Sequence, residues 1–515
     1  MVVFDRRRLL TGAGGLAGLI ALSQLPFGRA AATPPLPDYP FRLGLASGDP
    51  EPHGVVLWTR LAPDPLAEDG RGGMPDAGFP VRWQVSENDS MTRVVREGTV
   101  SALPELAHAV HVEVHGLRPG RDYWYRFEVR GELSEIGHTR TAPAPHEAAP
   151  LELAFASCQS WDDGFFTAYR HLAGQDLDFV VHLGDWIYEN QLGATGGVRG
   201  VPLTWPQRLE PMSLDQYRIR HALVASDPDL QAARGTLPFV VTVDDHEVKN
   251  NWSAETEPTR PTPENFLRRK AWALRAFYEH MPLRRTSLPR GPDMRLYRRM
   301  RFGRHGMLHM LDERQYRDPL DISARNDPAR SILGRRQEEW LLDGLDRSRT
   351  TWNVIGNQVM MFQLDRLTDP GLQQLNPDTW DGYAASRDRV LRGIVERRAR
   401  NPVVITGDAH VNCAAELKLD FGRPESPTVA PEFLGTSITS GGNGTDVTAG
   451  GREWLAANPH LKFFNGQRGY VRCRADADEW RADYLVLDRV TQPGGTMSTR
   501  ASFVVEPGRP ELQEA

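Results

Sequence analysis

Short segments in which apolar and polar residues alternate cover the first part of the chain, from about residue 39 to residue 143. In residues 81–87, for example, Val81, Trp83 and Val85 fall on one side of a strand. Alternation with a period of two, broken by turn residues about every ten positions, is typical of a β-sandwich. Strands are predicted over residues 54–61, 81–87, 108–117 and 122–131.

One of these segments resembles a known β-sandwich feature. Residues 117–127, LRPGRDYWYRF, are similar to the corner of fibronectin type III-like domains, so residues 38–143 are predicted to form an accessory sandwich. Its aromatic residues are expected in the core rather than in a ligand site. The proline- and alanine-rich residues 141–150 that follow are predicted to be a stiff linker that is not buried.

The pattern then changes over residues 150–507, where apolar β-branched runs alternate with segments of helical spacing. This is typical of a mixed α/β sheet with covering helices. Strands are predicted over residues 151–157, 179–183, 239–243, 352–356 and 402–407, a hairpin over residues 294–318 and antiparallel strands in the tail. Helices are predicted over Pro263–His280, where Pro263 suits a first helical turn, and over residues 333–345.

Polar or ionisable residues come directly after five of the predicted strands. They are Cys158, Asp185 with Tyr188, Asp245 with His246, Asn357, and Asp408 with His410. Taken singly, each has a structural alternative, such as a helix cap, a buried thiol or a core histidine. Because the carboxyl ends of strands in such sheets converge on ligands, the five together predict a shared metal site.

The ligand types indicate which metals this site would bind. Thiolate, phenolate, carboxylate and imidazole form an anionic set that favours a trivalent ion such as Fe³⁺. Aspartate and asparagine oxygens suit a hard divalent cation such as Ca²⁺. Asp185 is a candidate bridge between the two ions. Metal ions about 3.5–4 Å apart are the usual arrangement for in-line attack on phosphorus.

Composition limits the classes of protein that remain. The chain has 515 residues, which predicts two domains. A net charge of −6 with 25% charged residues argues against nucleic acid as the main partner, and 40% hydrophobic residues allow a packed core. Three cysteines, Cys158, Cys413 and Cys473, are too few for a disulfide framework and leave a bridge between the last two open.

The N-terminus has the features of an export signal rather than of the fold. Basic residues that include the pair Arg6 and Arg7 precede a short apolar stretch and an alanine-rich cleavage site ending at Ala32. The paired arginines resemble the twin-arginine type of signal. The alternative is a membrane anchor, but the apolar stretch is short and rich in glycine. Residues 1–32 are therefore predicted to be cleaved near Ala32, leaving a periplasmic or secreted protein without a transmembrane anchor, and the twin-arginine export machinery is the expected partner.

Six ordered motifs carry a specific resemblance. They are SGDP (47–50), SCQ (157–159), GDWIYE (184–189), DDHEVKNNW (244–252), LDERQYR (311–317) and GDAH (407–410). Together with the signal and the sandwich, they resemble the alkaline phosphatase D (PhoD-type) family over essentially the whole mature chain. The resemblance implies a calcineurin-like αββα metallophosphoesterase domain, similar in its Gly-Asp-x-x-Tyr motif to purple acid phosphatases. It also implies an exported phosphomonoesterase or phosphodiesterase that uses Fe³⁺ with Ca²⁺.

The resemblance also implies roles for individual residues. Cys158, Asp185, Tyr188 and His410 look like iron ligands, and Asp185, Asp245 and Asp408 look like calcium ligands. His246 takes the place of the catalytic histidine, Asn357 is a further metal ligand of uncertain role, and Arg314 is either a group that holds a phosphate oxygen or a structural ion-pair partner. Asp245 and Asp408 are departures from the superfamily pattern, which has an asparagine and a histidine at these places.

The predicted activity is hydrolysis of phosphate esters by hydroxide formed at the metals, with no phosphoenzyme. His246 is expected to stabilise charge or protonate the leaving alkoxide. Two alternatives belong to other classes: an iron–tyrosine redox enzyme, which would need a reductant or oxygen, and a non-catalytic extracellular binding protein that acts through its sandwich. The sequence leaves open the natural substrate, the preference for monoesters or diesters, and the oligomeric state.

Overall fold

The computed structural model describes residues 34–258, 262–369 and 371–515; the predicted export signal lies outside the described residues. Its strands are β1 Leu45–Glu51, β2 Gly54–Arg60, β3 Phe79–Ser86, β4 Val94–Ala102, β5 Ala109–His115, β6 Asp122–Val129, β7 Glu132–Leu133, β8 Gly137–Arg140, β9 Leu151–Ala156, β10 Phe179–His182, β11 Pro238–Val241, β12 Arg298–Phe302, β13 Gly306–Met310, β14 Trp352–Gly356, β15 Pro402–Thr406, β16 Asn412–Lys418, β17 Thr428–Leu434, β18 Leu461–Asn465, β19 Gly469–Ala475, β20 Trp480–Leu487, β21 Met497–Glu506 and β22 Arg509–Glu514. Its α-helices are α1 Thr167–Ala173, α2 Trp205–Arg208, α3 Leu214–Ala225, α4 Pro228–Thr236, α5 Pro263–His280, α6 Gly334–Arg347, α7 Ala384–Glu396 and α8 Ala449–Ala457.

These strands form three sheets in the described part of the chain. The first has ten strands in the order β22-β21-β20-β19-β9-β10-β11-β1-β2-β5. The second has seven, in the order β12-β13-β14-β15-β17-β16-β18, and the third is built from β4, β3, β6 and β7, with β8 paired to β6. Strands β9, β10 and β11 run parallel, as do β13, β14 and β15, so the carboxyl ends of each set lie at one edge.

The first two sheets lie face to face, with helices on both outer sides. On β10, Val181 packs in the core between the sheets with Leu308 and Val354, whereas its neighbour Val180 packs with the helices α3 and α5. The opposite face of the second sheet is covered by α6 and α7 through residues such as Leu341. The predicted αββα arrangement is confirmed.

The N-terminal strands form the predicted sandwich. Val55 and Leu57 of β2 share a core with Phe79 of β3 and Tyr125 of β6. The expected burial of the aromatic residues of segment 117–127 is confirmed for Tyr123, Tyr125 and Phe127, whereas Trp124 is half-buried. One layer of this sandwich is not separate, because β1 pairs in parallel with β11 at Ser47 and Pro238 and so extends the ten-stranded sheet. Leu36–Ala515 form one compact unit. The division into residues 38–143 and 150–507 stays a prediction.

The expectation of an unburied linker over residues 141–150 is wrong for its first half. Residues 141–144 are buried. The N–H of Thr141 donates to the carbonyl of Arg121 (3.0 Å), and the N–H of Ala142 donates to the carbonyl of Glu51 (3.2 Å). These bonds satisfy the backbone polar groups that burial would otherwise leave unpaired.

The remaining predictions concern helices, cysteines and membrane spans. The helix over Pro263–His280 is confirmed, and residues 333–345 correspond to α6. Cys158, Cys413 and Cys473 are all buried and free, so the described chain contains no bridge between the last two. Among the residues described, no helix combines the length and apolar character needed to cross a membrane.

Candidate active site

Residues that follow four parallel strands come together between the two large sheets. They form three groups in which one potential metal-binding atom from each residue lies within 4.8 Å of the others. The groups are Cys158, Asp185 and His410; Asp185, Asp245 and His246; and Asp244, Asp245 and Asp408. Asp185 belongs to the first two groups and Asp245 to the last two, so the three form one continuous site.

The backbone turns sharply where these side chains leave their strands. Cys158, Asp185, Asp408 and His410 all have left-handed conformations, with φ of 61°, 56°, 65° and 56°. Such conformations cost a residue with a side chain on the order of 1–2 kcal/mol. Backbone strain of this kind clusters where function needs a side chain at a fixed place.

Tyr188 lies at the end of the site occupied by Cys158 and His410. Its hydroxyl lies 3.0 Å from Oδ2 of Asp185 and 3.0 Å from Nε2 of His410. Burial, and next the charge of Asp185, raises the pKa of Cys158 and of Tyr188 well above the usual values. A cation bound among these atoms would reverse that effect and favour thiolate and phenolate, which is the chemistry of this donor set.

The opposite end is a buried cluster of carboxylates. Oδ2 of Asp244 and Oδ1 of Asp245 are buried and have no hydrogen-bond partner. Burial raises the pKa of Asp244 well above its usual value and that of Asp408 to about 8. Unpartnered carboxylate oxygens in a protein interior are costly, whereas a hard divalent cation would satisfy them. The residues present therefore fit a metal ion.

Arg314 serves this carboxylate cluster rather than facing open space. Its side chain is fully buried, and its guanidinium donates to Asp244 and, at 2.9 Å, to both oxygens of Asp378. Its Nη2 lies 3.5 Å from Asp408 and 3.7 Å from Asp245. These contacts correspond to the structural alternative considered from the sequence, because they leave no exposed donor for a phosphate oxygen.

Asn357 is likewise engaged by the protein. Its amide nitrogen donates to the carbonyl of Val359 and to Oγ1 of Thr406 (3.3 Å), and its oxygen accepts from Nε1 of Trp380 (3.0 Å). The side chain is fully buried. These contacts support a role in holding the loop after β14 rather than direct metal binding.

His246 has a partner that sequence reasoning missed. Its Nδ1 lies 2.6 Å from Oε2 of Glu189, a buried carboxylate that also accepts from the N–H of Asn250 (2.9 Å). Burial alone would lower the pKa of His246, but Asp245, Asp185 and Glu189 outweigh it and raise that pKa well above the usual value. The available signal was an acidic residue directly after Tyr188.

Two further aspartates were missed or given another role. Asp244 was not among the predicted ligands, although it directly precedes Asp245 and so shares the end of β11. Asp378 comes from an irregular segment, and no strand or motif precedes it to indicate a role. Its contacts with Arg314 and with Arg317 (2.7 Å) link it to the site.

Gly184 allows the ends of β10 and β11 to approach each other. It has φ 112°, and a Cβ atom placed there would lie 2.3 Å from Cβ and 2.6 Å from the backbone nitrogen of Asp244. We expect Gly184→Ala to displace Asp244, lowering both the temperature of unfolding and the metal content; the backbone strain alone costs about 1–3 kcal/mol. Thermal unfolding and metal analysis measure the two effects.

Gly131→Ala is the matched control for this prediction. Gly131 also has a positive φ, 85°, but a Cβ atom there meets nothing within 4 Å. Equal losses in both variants would show that the backbone conformation, and not the approach to Asp244, limits position 184.

Comparison with known families covers both parts of the chain. Residues 28–143 match the model of the PhoD-like phosphatase N-terminal domain, and residues 153–484 match that of the PhoD-like phosphatase. Alkaline phosphatase D of Bacillus subtilis (strain 168) is 45% identical to this chain over an alignment 530 residues long. The alignment covers 99% of this chain and 89% of that protein.

Solved structures agree with this comparison. A structure described as PhoD superposes with a TM-score of 0.89 at 45% identity, over 94% of this chain and 93% of that chain. A purple acid phosphatase from seeds of yellow lupin (Lupinus luteus) superposes with a TM-score of 0.53 at 12% identity, over 91% of this chain and 74% of that chain. The second match is a likeness of fold alone.

Proposed function

The chain belongs to the PhoD-like phosphatase family, and from that premise we propose that it cleaves phosphate mono- or diesters with Fe³⁺ and Ca²⁺ bound at the strand ends described above. Family membership makes it a phosphatase and decides against the redox enzyme and the non-catalytic binder. The proposed iron ligands are Cys158, Asp185, Tyr188 and His410. The proposed calcium ligands are Asp185, Asp245 and Asp408, to which Asp244 adds a further oxygen.

One observation carries the proposal: the three ligand groups overlap, and buried oxygens within them are unpartnered. The soft and phenolic donors are gathered with His410 at one end, and carboxylates alone make up the group at the other. Thiolate and imidazole suit transition metals, whereas carboxylate oxygens suit Ca²⁺. This segregation supports two different metals joined through Asp185.

Metal ions bound here would lower the pKa of a water molecule to near neutral, so that hydroxide is available to attack phosphorus. Glu189 accepts a hydrogen bond from Nδ1–H of His246 and holds the ring in place, which leaves Nε2 as the nitrogen that donates a proton to the leaving alkoxide. Arg314 holds Asp244 and Asp378 and offsets the negative charge of the carboxylate cluster.

Calcium at the carboxylate end can be tested by removal and exchange. A calcium-selective chelator is expected to abolish phosphate release, and Ca²⁺ should restore it better than Mg²⁺ or Zn²⁺, because Mg²⁺ requires near-ideal octahedral geometry and Zn²⁺ prefers nitrogen or sulfur ligands. Asp408→His should shift the preference toward Zn²⁺. Asp420→His, in an exposed turn, is the control and should keep the preference for Ca²⁺. Full turnover after chelation, or full restoration by Zn²⁺ alone, would exclude calcium.

Export by the twin-arginine route is a second part of the proposal. Replacing both Arg6 and Arg7 with lysine is expected to keep active protein in the cytoplasm, because the receptor reads the arginine pair. Cell fractionation followed by a phosphatase assay measures this, with Arg8→Lys as the control. Normal export of the double variant would rule out this route.

A further inference from the structure

Ser440 touches two of the proposed iron ligands at once. It lies in the loop after β17, is 1% exposed, and its Oγ is 2.7 Å from the carbonyl oxygen of Cys158 and 2.7 Å from the hydroxyl of Tyr188. The same Oγ accepts the N–H of Ser160 at 3.1 Å. No motif singled this residue out, because the loop reaches the site through contacts with a distant segment, such as the hydrogen bond from the N–H of Ile438 to the carbonyl of Ser157 at 3.0 Å.

The hydroxyl of Ser440 has one proton to donate. A neutral phenol at Tyr188 can use its own proton in this contact, whereas a phenolate can only accept. Hydrogen bonds to charged acceptors are stronger than those to neutral acceptors. The hydroxyl of Ser440 would therefore donate its hydrogen bond to a phenolate at Tyr188 in preference to the carbonyl of Cys158.

The loop that carries Ser440 is fixed to the same end of the site. The Arg468 guanidinium donates to the carbonyls of Gly442 (2.8 Å), Gly441 (3.2 Å) and His410 (2.5 Å). The hydroxyl of Ser437 donates to the carbonyl of Ser440 at 2.8 Å. These bonds therefore fix the position of Ser440 relative to His410 as well as to Cys158 and Tyr188.

We propose that Ser440 is a positioning residue whose hydroxyl donates to the phenolate oxygen of Tyr188, orients it toward the iron and limits how strongly it donates electrons. This inference rests on the proposed binding of Fe³⁺ by Tyr188. Outer hydrogen-bond partners of this kind typically change metal affinity or activity by about 10–100-fold when removed.

The test measures the phenolate-to-iron charge-transfer band in the visible spectrum, together with iron content, in the full-length protein. Ser440→Ala is expected to move the band to longer wavelength, because loss of the hydrogen bond raises the energy of the phenolate electrons. It should also lower iron affinity by about tenfold or more, because the phenolate is no longer held in its orientation toward the iron. Ser440→Thr keeps the hydroxyl and should restore the wild-type band. Should the alanine variant fail to fold, Ser440→Cys, a weaker donor, should shift the band in the same direction by less.

Thr439→Val is the matched control. Thr439 is buried beside Ser440 and its hydroxyl donates to the carbonyl of Ser160 at 2.7 Å, so the variant loses a loop hydrogen bond and should leave the band in place. An unshifted band in Ser440→Ala, or an equal shift in Thr439→Val, would overturn the role of Ser440. The proposed function would still stand if the wild-type protein is coloured and releases phosphate. Wild-type protein that binds iron without a charge-transfer band would overturn both the ligand role of Tyr188 and this inference.

Discussion

Replacing Asp185 with asparagine is expected to lower the rate of phosphate release by at least about a hundredfold, the upper end of what the loss of a mere outer partner costs. Asp185 belongs to two of the three ligand groups. Its Oδ1 accepts the N–H of His246 (3.3 Å) and its Oδ2 lies 3.0 Å from the hydroxyl of Tyr188. Asparagine keeps the shape but removes the charge, so both of the proposed metals should be bound more weakly.

The same substitution should not weaken the metal-free fold. Burial raises the pKa of Asp185 well above its usual value, so a neutral side chain is already favoured there in the absence of a cation. Activity and metal content are measured beside thermal unfolding, with Asp176→Asn, an exposed side chain, as the control. Normal metal content and full turnover in Asp185→Asn would contradict the bridging role.

Replacing His246 with glutamine is expected to lower kcat by about 10²–10⁴-fold, the usual contribution of general acid–base catalysis. The loss should be largest for esters whose alcohol leaves poorly and small for nitrophenyl esters, because a good leaving group needs no proton. Glu189→Gln should show the same pattern to a smaller extent, since the ring remains but its orientation and charge are less well supported.

The measurement is the dependence of kcat on the pKa of the leaving alcohol, which should become steeper in both variants. His171→Gln is the control. His171 lies on α1, and its ring nitrogen Nε2 is 3.0 Å from the carbonyl oxygen of Gly495. A loss of equal size for every leaving group would show that His246 binds phosphate or supports the fold instead of donating the proton.

The convergence of residues from separate strands could be predicted because its signal is local. Each apolar run that ends in an ionisable residue, such as the one before Asp185, indicates a strand and its carboxyl end. Parallel strands place those ends at one edge. This inference does not require knowledge of the order of the strands in the sheet. The ligand candidates Cys158 and His410 could therefore be found although they lie in opposite halves of the chain.

Features that sequence patterns leave open depend on contacts between distant segments. Arg314 follows a strand like the others, but Asp378, 64 residues along the chain, turns it into a buried ion-pair partner. Asn357 is held by Trp380 in the same way. Nor does the alternation of apolar and polar residues in the first strands reveal that β1 pairs with β11 and so joins the sandwich to the ten-stranded sheet. Hydrophobic periodicity specifies which face is buried, but not its partner.

Phosphate release by protein isolated from the cells that naturally produce it, measured without oxygen or a reductant and alongside its metal content, tests the proposed two-metal phosphatase most directly. We expect release of inorganic phosphate from an ester substrate by protein that contains both iron and calcium. Full activity in protein shown to contain neither metal, or turnover only when oxygen or a reductant is supplied, would contradict it.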